Sequence, residues 1–187
     1  MSRWATPRGD GMISGSKVIL RKKNLADARD DYTWHSDPEL AHLDAAPVPD
    51  FTFKEYLADY TFELRYLSPS RRQFAIDTRD GKHIGNCVYY DVNEKKGEAE
   101  LGIMIGDRDC WDKGYGTDAV TTLVNHIFRQ TNLKRIHLKT LDSNHRAQRC
   151  FQKCGFTPCG HRNRDGFRFM LMELERQHWE KQPPETQ

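Results

Sequence analysis

Two glycines lie in the segment Trp-Asp-Lys-Gly-Tyr-Gly-Thr at 111–117, whose surroundings suit phosphate binding. A strand-like run at 99–105 precedes it, and an apolar stripe at helical spacing follows over 119–128. In a strand–loop–helix unit, the loop N–H groups and the positive end of the helix converge where a phosphate can bind. Gly114 and Gly116 would let the backbone turn tightly and approach a ligand without a Cβ atom between them. For this segment alone, an ordinary strand-to-helix turn remains an equal alternative.

A second segment, Asn-His-Arg-Ala-Gln-Arg-Cys-Phe-Gln-Lys-Cys-Gly-Phe at 144–156, predicts one short helix. Asn144 suits the N-cap, and Gly155 suits the residue just beyond the C-terminus. The inward face of this helix is predicted to consist of four residues at helical spacing: Ala147, Cys150, Phe151 and Cys154. The helix begins about thirty residues after the glycine segment.

Together the two segments resemble the GNAT superfamily of acyl-CoA-dependent N-acetyltransferases, the second in the form Asn-x-x-Ala-x-x-x-Phe-x-Lys-x-Gly-Phe. The sequence Trp-His-Ser-Asp-Pro-Glu at 34–39 is similar to the branch that contains the ribosomal-protein N-terminal (serine/alanine) acetyltransferases. The resemblance extends roughly over 16–175. It implies a mixed α/β fold in a single domain, with a central mixed β-sheet flanked by helices.

The resemblance also implies acetyl-CoA as the co-substrate, with no metal. In that family the glycine-loop amides hold the pyrophosphate, and this role would fall on Trp111, Asp112, Lys113, Gly114, Tyr115, Gly116 and Thr117. Trp111 stands where many relatives have Gln or Arg. The pantetheine arm and the thioester would contact Ile103, Met104 and Ile105 of the preceding strand, and Asn144 from the opposite wall. Lys113 and Lys153 either pair with coenzyme phosphates or are simply solvated, and Tyr115 and Phe151 are either cofactor walls or core aromatics.

The catalytic groups are less well specified by this resemblance. Glu100 lies where relatives place a carboxylate that acts as a general base directly or through water, and a structural role for Glu100 is an equal alternative. Many relatives carry Tyr at the position of Phe151, and Phe cannot donate a proton to the departing thiolate. Ser143, Tyr89, Tyr90 or solvent could supply that proton instead.

The composition narrows the classes of partner and compartment. Lys and Arg number 29 against 27 Asp and Glu, and no long basic block occurs, so nucleic acid is not an expected partner. The longest apolar runs fall well short of the roughly 20 residues that span a bilayer. The first eleven residues lack the apolar core of a signal peptide, which favours the cytoplasm. The expected partner is an amine-bearing acceptor, either a protein N-terminus or a small molecule, and a homodimer is left open.

The five cysteines are Cys87, Cys110, Cys150, Cys154 and Cys159. An odd number in a chain without a secretion signal favours reduced thiols. Cys150 and Cys154 stand four residues apart with Cys159 close behind, yet no Cys-x-x-Cys pair or matching histidines complete a metal site. Buried small side chains are the preferred interpretation.

Apolar periodicity predicts strands over 17–22, 73–78, 83–92, 99–105, 135–140, 157–162 and 167–174, and helices over 25–34, 52–67, 117–130 and 144–154. Asp37-Pro38 is interpreted as the end of the first helix. We expect a disordered N-terminus at 1–11, one domain at 12–176 and a frayed polar tail at 177–187.

Three functions are consistent with these observations. The leading one is an acetyl-CoA-dependent N-acetyltransferase that acts on a protein N-terminus, a polyamine or another small amine. The second is a non-catalytic acyl-CoA-binding module in which Phe151 records a lost acid. The third is a redox or metal protein built on the cysteines.

Overall fold

Eight strands form one sheet in the computed structural model of this chain, which describes residues 11–66, 68 and 70–182. The strands are β1 (Ile13–Ser14), β2 (Val18–Arg21), β3 (Arg72–Thr78), β4 (His83–Asn93), β5 (Glu98–Ile105), β6 (Arg135–Leu141), β7 (Thr157–Arg164) and β8 (Phe167–Glu175). Their order is β1-β2-β3-β4-β5-β6-β8-β7. Neighbouring strands are antiparallel except β5 and β6, which are parallel. The predicted mixed sheet is therefore confirmed.

The helices of the described residues flank this sheet. They are α1 (Ala28–His35), α2 (Pro38–Leu43), α3 (Phe53–Arg65), α4 (Tyr115–Gln130), α5 (His145–Lys153) and α6 (Arg176–Trp179). Two short 3₁₀ turns occur at Leu25–Asp27 and Arg108–Cys110. The predicted helices at 25–34, 52–67, 117–130 and 144–154 correspond to α1 with its preceding turn, α3, α4 and α5.

Helix α4 supplies most of the helical part of the core. One face of it is buried, as its apolar spacing predicts: Ala119, Val120, Leu123, Val124, Ile127 and Phe128. This face packs against β1, β2, β4 and β5. The helix that starts in the glycine segment is therefore held firmly against the sheet, which fixes the position of its N-terminus.

Helix α2 was not expected from the sequence. The sequence predicts Asp37-Pro38 only as the end of α1, but the Asp37 carboxylate also accepts hydrogen bonds from the N–H groups of Glu39 and Leu40. Pro38 follows at the first helical position, where its missing N–H is not needed. The pair therefore ends one helix and starts another, and α2 brings residues 40–44 towards β5.

The expected frayed tail from 177 is a second correction. Residues 176–179 form α6, and Trp179 is buried, with its Nε1 donating to Asn125 Oδ1 at 2.7 Å. Its ring lies 5.2 Å from that of Phe128, centroid to centroid. Because this contact buries a large apolar side chain, the packed domain extends beyond the predicted limit at 176. The expectations for 1–10 and 183–187 lie outside the described residues.

Within the described residues, the helices are too short or too polar to cross a lipid bilayer. The same residues contain no group of three or more His, Cys, Asp or Glu side chains arranged to hold a metal ion.

Candidate active site

Strands β5 and β6 pair briefly and then separate. Their ladder joins Glu98–Glu100 to Arg135–His137, although β5 continues to Ile105 and β6 to Leu141. Beyond Glu100, the edge of β5 that faces β6 therefore has backbone N–H and C=O groups without a strand partner in the described residues. Such groups need hydrogen bonds, and an extended ligand between the strands can supply them. The predicted contact strand, 103–105, borders this gap.

The glycine segment lies at the end of β5 and turns directly into α4. Gly114 is the N-cap of α4, with a left-handed φ of +84°, a conformation that favours glycine. No side chain caps this helix start, so its first N–H groups are available to an anion. The loop is tied to β5 by Trp111, whose Nε1 donates to the Ile105 carbonyl at 2.7 Å.

Gly116 serves the site for a different reason. It lies within the first turn of α4, and a Cβ atom there would stand 3.5 Å from Cys150 Sγ and 3.7 Å from Ile105 Cγ1. These are ordinary contact distances, so the backbone does not require glycine at this position. The absence of a side chain instead keeps open the space between α4, α5 and β5.

Helix α5 forms the opposite wall, and the predicted caps are confirmed. Asn144 Oδ1 accepts a hydrogen bond from the Ala147 N–H at 3.1 Å, and Gly155 has a left-handed φ of +90°. Arg146, Arg149 and Lys153 of α5 line the cleft between this helix and the glycine loop. The N-terminus of α4 and three cationic side chains therefore face one cleft, which suits a polyanionic ligand.

Trp111, which stands where many relatives have Gln or Arg, makes a cation–π contact with Arg146. The Arg146 guanidinium carbon lies 3.3 Å from the centre of the Trp111 ring, and that of Arg108 lies 5.6 Å from the same centre. Arg108 is occupied by ion pairs with Asp37 and Glu39. Arg146 has no hydrogen bond or ion pair with the rest of the described chain, and burial lowers its pKa. The Trp111 ring thus holds a cation that has donors free for an anion.

Nine of the predicted cofactor contacts line this cleft of about 210 Å³: Ile103, Met104, Ile105, Trp111, Asp112, Gly114, Gly116, Thr117 and Asn144. Three predicted contacts are not brought into it. Lys113 is exposed, and its carbonyl accepts a hydrogen bond from Lys17 Nζ. Tyr115 packs against the core, and Phe151 is buried beside Phe156, so core packing is the role that the structure gives to both rings.

Glu100, the predicted base, does not line the cleft either. Its Oε1 accepts hydrogen bonds from Lys139 Nζ at 2.6 Å and from the Tyr90 hydroxyl at 2.5 Å. Burial acts to raise the pKa of Glu100, but the hydrogen bonds from Lys139 and Tyr90 and the lysine charge lower it overall. A carboxylate stabilised in this way is a weak proton acceptor.

The side chains considered as alternative acids are also held elsewhere. Tyr89 is buried in the core. The Tyr90 hydroxyl donates a hydrogen bond to Glu100 Oε1, and burial raises the pKa of Tyr90. Ser143 is exposed and lines a separate surface depression with His145.

A second cavity adjoins the cleft on the side of the early helices. It is lined by His35, Ala41, Asp44, Ala46, Pro47, Val48, Pro49, Asp50, Phe51, Tyr56 and Met104. Among the described residues, Asp44 and Met104 alone line both spaces. Asp44 is open to solvent, yet the protein atoms around its carboxylate desolvate it and raise its pKa. The sequence does not predict a role for Asp44, because it does not predict α2, at whose C-terminus Asp44 lies.

Two cysteines meet at the rear of the cleft. Cys150 lines the cleft, and its Sγ accepts a hydrogen bond from the Thr117 hydroxyl at 3.6 Å. The neighbouring Cys154 thiol and the Thr117 hydroxyl lower the pKa of the Cys150 thiol, and together they outweigh desolvation, which acts to raise it. Cys154 is buried and donates to the Thr117 carbonyl at 3.5 Å. Cys150 is therefore more acidic than an ordinary thiol and only partly buried, whereas the sequence predicts it as a buried small side chain.

Relatives of known sequence carry the same kind of domain. An uncharacterized N-acetyltransferase p20 of Bacillus licheniformis is 29% identical over 129 residues, which are 68% of this chain and 72% of that protein. The spermine/spermidine N(1)-acetyltransferase of Bacillus subtilis (strain 168) is 29% identical over 100 residues, 51% of this chain and 66% of that protein.

Solved structures share the fold. A spermidine N-acetyltransferase from Vibrio cholerae in complex with CoA and spermine matches with a TM-score of 0.77 and 20% identity, over 89% of this chain and 99% of that one. An aminoglycoside acetyltransferase in complex with coenzyme A matches with a TM-score of 0.72 and 22% identity, over 88% and 98% of the two chains. The family model of the acetyltransferase (GNAT) domain matches residues 17–157. Since that match spans most of the sequence, the chain belongs to the GNAT family and is an N-acetyltransferase.

Proposed function

We propose that this enzyme moves the acetyl group of acetyl-CoA to the primary amine of a small cationic acceptor, with polyamines as the class to test first. The observation that carries the proposal is the meeting of the two cavities at Asp44 and Met104. One cavity has the groups that a polyanionic coenzyme needs, and the other has a mainly apolar lining that includes two aspartates and two aromatic rings. A thioester and an amine can approach each other where they join.

The coenzyme would occupy the cleft between β5, α4 and α5. The N–H groups at the start of α4 and the side chains of Arg146, Arg149 and Lys153 would bind its phosphates. The free edge of β5 and the Asn144 side of α5 would border its pantetheine arm. When bound, acetyl-CoA supplies an acyl group activated as a thioester, and the protein contributes position and charge.

The acceptor cavity favours a cation. Asp44 and Asp50 line it together with the aromatic side chains of Phe51 and Tyr56. Carboxylates and aromatic faces both attract ammonium groups. The names of the relatives, which include spermine and spermidine acetyltransferases, agree with a polyamine. A protein N-terminus, the ribosomal-protein branch, a homodimer and a cytoplasmic location stay predictions.

The test is release of CoA thiol from acetyl-CoA by the purified protein, with spermidine, spermine, kanamycin and a peptide with a free N-terminus supplied separately. Mass spectrometry of the amine identifies the acetylated product. We expect the polyamines to give the highest kcat/KM. Preference for the peptide would support the N-terminal acceptor instead. A rise in melting temperature with acetyl-CoA, combined with no thiol release for any amine, would support the non-catalytic acyl-CoA-binding module.

A further inference from the structure

We infer that Asp44 is the catalytic residue that accepts the proton of the acceptor amine, in place of Glu100. This inference rests on the proposed function and concerns the same site. It assigns the proton transfer to a residue at the end of α2, outside the two segments that carry the family resemblance.

The position of Asp44 is the first support. It lies at the junction of the coenzyme cleft and the acceptor cavity, together with Met104 of β5. An amine bound in the acceptor cavity must pass this junction to reach a thioester in the cleft. Glu100 stands on the same strand as Met104, four residues earlier, and lines neither space.

The second support is the availability of the Asp44 carboxylate. Its oxygens make no hydrogen bond or ion pair with other residues that the structure describes. The Glu100 carboxylate already accepts from Lys139 and Tyr90. Of the two carboxylates, Asp44 therefore has lone pairs free for an incoming ammonium group.

The third support is the environment of the carboxylate. Desolvation raises the pKa of Asp44, and the charges of His35 and Lys139 only partly oppose it. The same desolvation would lower the pKa of an ammonium group placed beside it, so that proton transfer between the two groups becomes less costly. The titratable and charged groups around this junction come from several elements: His35, Asp50, Tyr56, Tyr90, Glu100, Lys139 and Arg146.

The backbone holds Asp44 in place at the C-terminus of α2. Its N–H donates to the Leu40 carbonyl at 3.0 Å. The next two N–H groups, of Ala45 and Ala46, donate to the carbonyls of His42 and Ala41, and Ala45 has a left-handed φ of +52°. This is a Schellman ending with alanine where glycine is usual. Non-glycine residues adopt this conformation at a cost, and such strain is found near functional sites.

The proposed step is balanced in atoms and charge. The ammonium group of the acceptor gives one proton to the Asp44 carboxylate and becomes a neutral amine. Its nitrogen lone pair forms a bond to the thioester carbonyl carbon, and the carbon–sulfur bond breaks with its electron pair on sulfur. The nitrogen loses a second proton, and the thiolate takes one up. The products are the acetamide, CoA thiol and one proton, which Asp44 returns to solvent.

The test compares Asp44→Asn with wild type across pH 6 to 10, with spermidine and acetyl-CoA. Loss of general-base assistance typically costs about 10²–10⁴-fold, so we expect kcat/KM to fall at least about 100-fold near pH 7. The loss should shrink as the pH approaches the pKa of the amine, because more of the free amine is already neutral. The melting-temperature increase with acetyl-CoA should be unchanged. Asp165→Asn, at the exposed β7–β8 turn, is the matched control and should match wild type.

A second amine pair separates proton transfer from simple attraction of a cation. Ethylamine and 2,2,2-trifluoroethylamine are similar in size, but the three electron-withdrawing fluorines leave the second amine largely neutral near pH 7. Asp44→Asn, and Asp44→Ser as a second variant, should lose much more rate with ethylamine. An equal loss for both amines, a raised KM with unchanged kcat, or wild-type turnover in both variants would overturn the inference while leaving the proposed function standing. Absence of turnover by wild type with every amine would overturn the proposed function, and this inference with it.

Discussion

The coenzyme cleft and the acceptor cavity are built in different ways. The cleft uses backbone: the start of α4, the unpaired edge of β5 and two glycines, one with a left-handed φ and one that leaves space. The acceptor cavity uses side chains from α1, the end of α2, the following loop and α3. A site made of backbone depends on a short local sequence, whereas a site made of side chains depends on how distant segments pack. The first kind can be predicted from sequence, and the second follows only from the fold.

The largest effect is expected from a substitution in the cleft that is built from backbone groups. Gly114→Asp should abolish the rise in melting temperature that acetyl-CoA causes, because coenzyme binding stabilises only the native state. The substitution places a side chain at a φ of +84° and a negative charge at the start of α4. Thermal unfolding with and without acetyl-CoA measures this.

Gly81→Asp is the matched control, since Gly81 has a φ of +88° and open space around it and does not line the cleft. It should lose stability from the same backbone strain but keep the full coenzyme response. A wild-type response in Gly114→Asp would show that the loop has been misassigned.

The side-chain part of the cleft is tested by Arg146→Ala. Arg146 stacks on Trp111 and has donors free for phosphate, and hydrogen bonds to charged groups contribute about 1.5–3 kcal/mol. Because the cleft is open to solvent, we expect the lower part of that range, a rise of about 10–30-fold in the Kd for acetyl-CoA by calorimetry. Arg162→Ala, on exposed β7, should have no effect. An unchanged Kd for Arg146→Ala would mean that the helix N-terminus, Arg149 and Lys153 bind the phosphates without help from Arg146.

These two regions also show what the sequence could and could not predict. Strands β2 to β8, α4 and α5 follow from periodicity and caps, whereas the two-residue strand β1 was not predicted, and the fold agrees with the resemblance. Asp37-Pro38 both ends α1 and starts α2, but the sequence predicts only the end of α1. Because α2 is not predicted, the sequence gives no prediction for Asp44 at its C-terminus. Glu100 has the right type and strand position for a base, but Lys139, which occupies it, comes from β6 and is 39 residues away. Such a partner is visible only in three dimensions.

Chemical labelling of Cys150 tests whether bound acetyl-CoA covers this side of the cleft. The Cys150 thiol lines the cleft and has a pKa below that of an ordinary thiol, so its reaction with iodoacetamide should accelerate at a lower pH than that of Cys159. Acetyl-CoA at ten times its Kd should slow the reaction about 10-fold, since about a tenth of the sites stay free. Peptide mass spectrometry measures both rates.

Cys159 provides an internal comparison in the same experiment. It is exposed, burial of its sulfur and the charge of Glu173 raise its pKa, and it lies outside the cleft. Its labelling should be slower near pH 7 and indifferent to acetyl-CoA. Equal protection of both cysteines would indicate a global change on coenzyme binding instead of direct cover of Cys150.

The smallest effect on turnover is expected at Glu100, which lines neither the coenzyme cleft nor the acceptor cavity. Glu100→Gln should change kcat/KM less than about 3-fold, since loss of a general base would cost about 10²–10⁴-fold.

The effect of Glu100→Gln should appear in the free energy of unfolding. The folded-state pKa of Glu100 is lowered, so its contribution is present above the unfolded-state pKa, about 4.3, and is lost as the pH falls through the folded-state value. With Lys139 about a third exposed, we expect Glu100→Gln to lower the free energy of unfolding by about 1–2 kcal/mol at pH 7, and by progressively less below pH 4. Urea unfolding at pH 7, 5, 4 and 3 measures this. Glu98 lies on the same face of β5 as Glu100, and Glu98→Gln removes its ion pair with Arg135 of β6. This variant should show the same dependence of stability on pH, with no change in turnover. A 100-fold loss of turnover in Glu100→Gln alone would show that Glu100 of β5 is the general base, and Asp44 would then be a residue that only binds the acceptor.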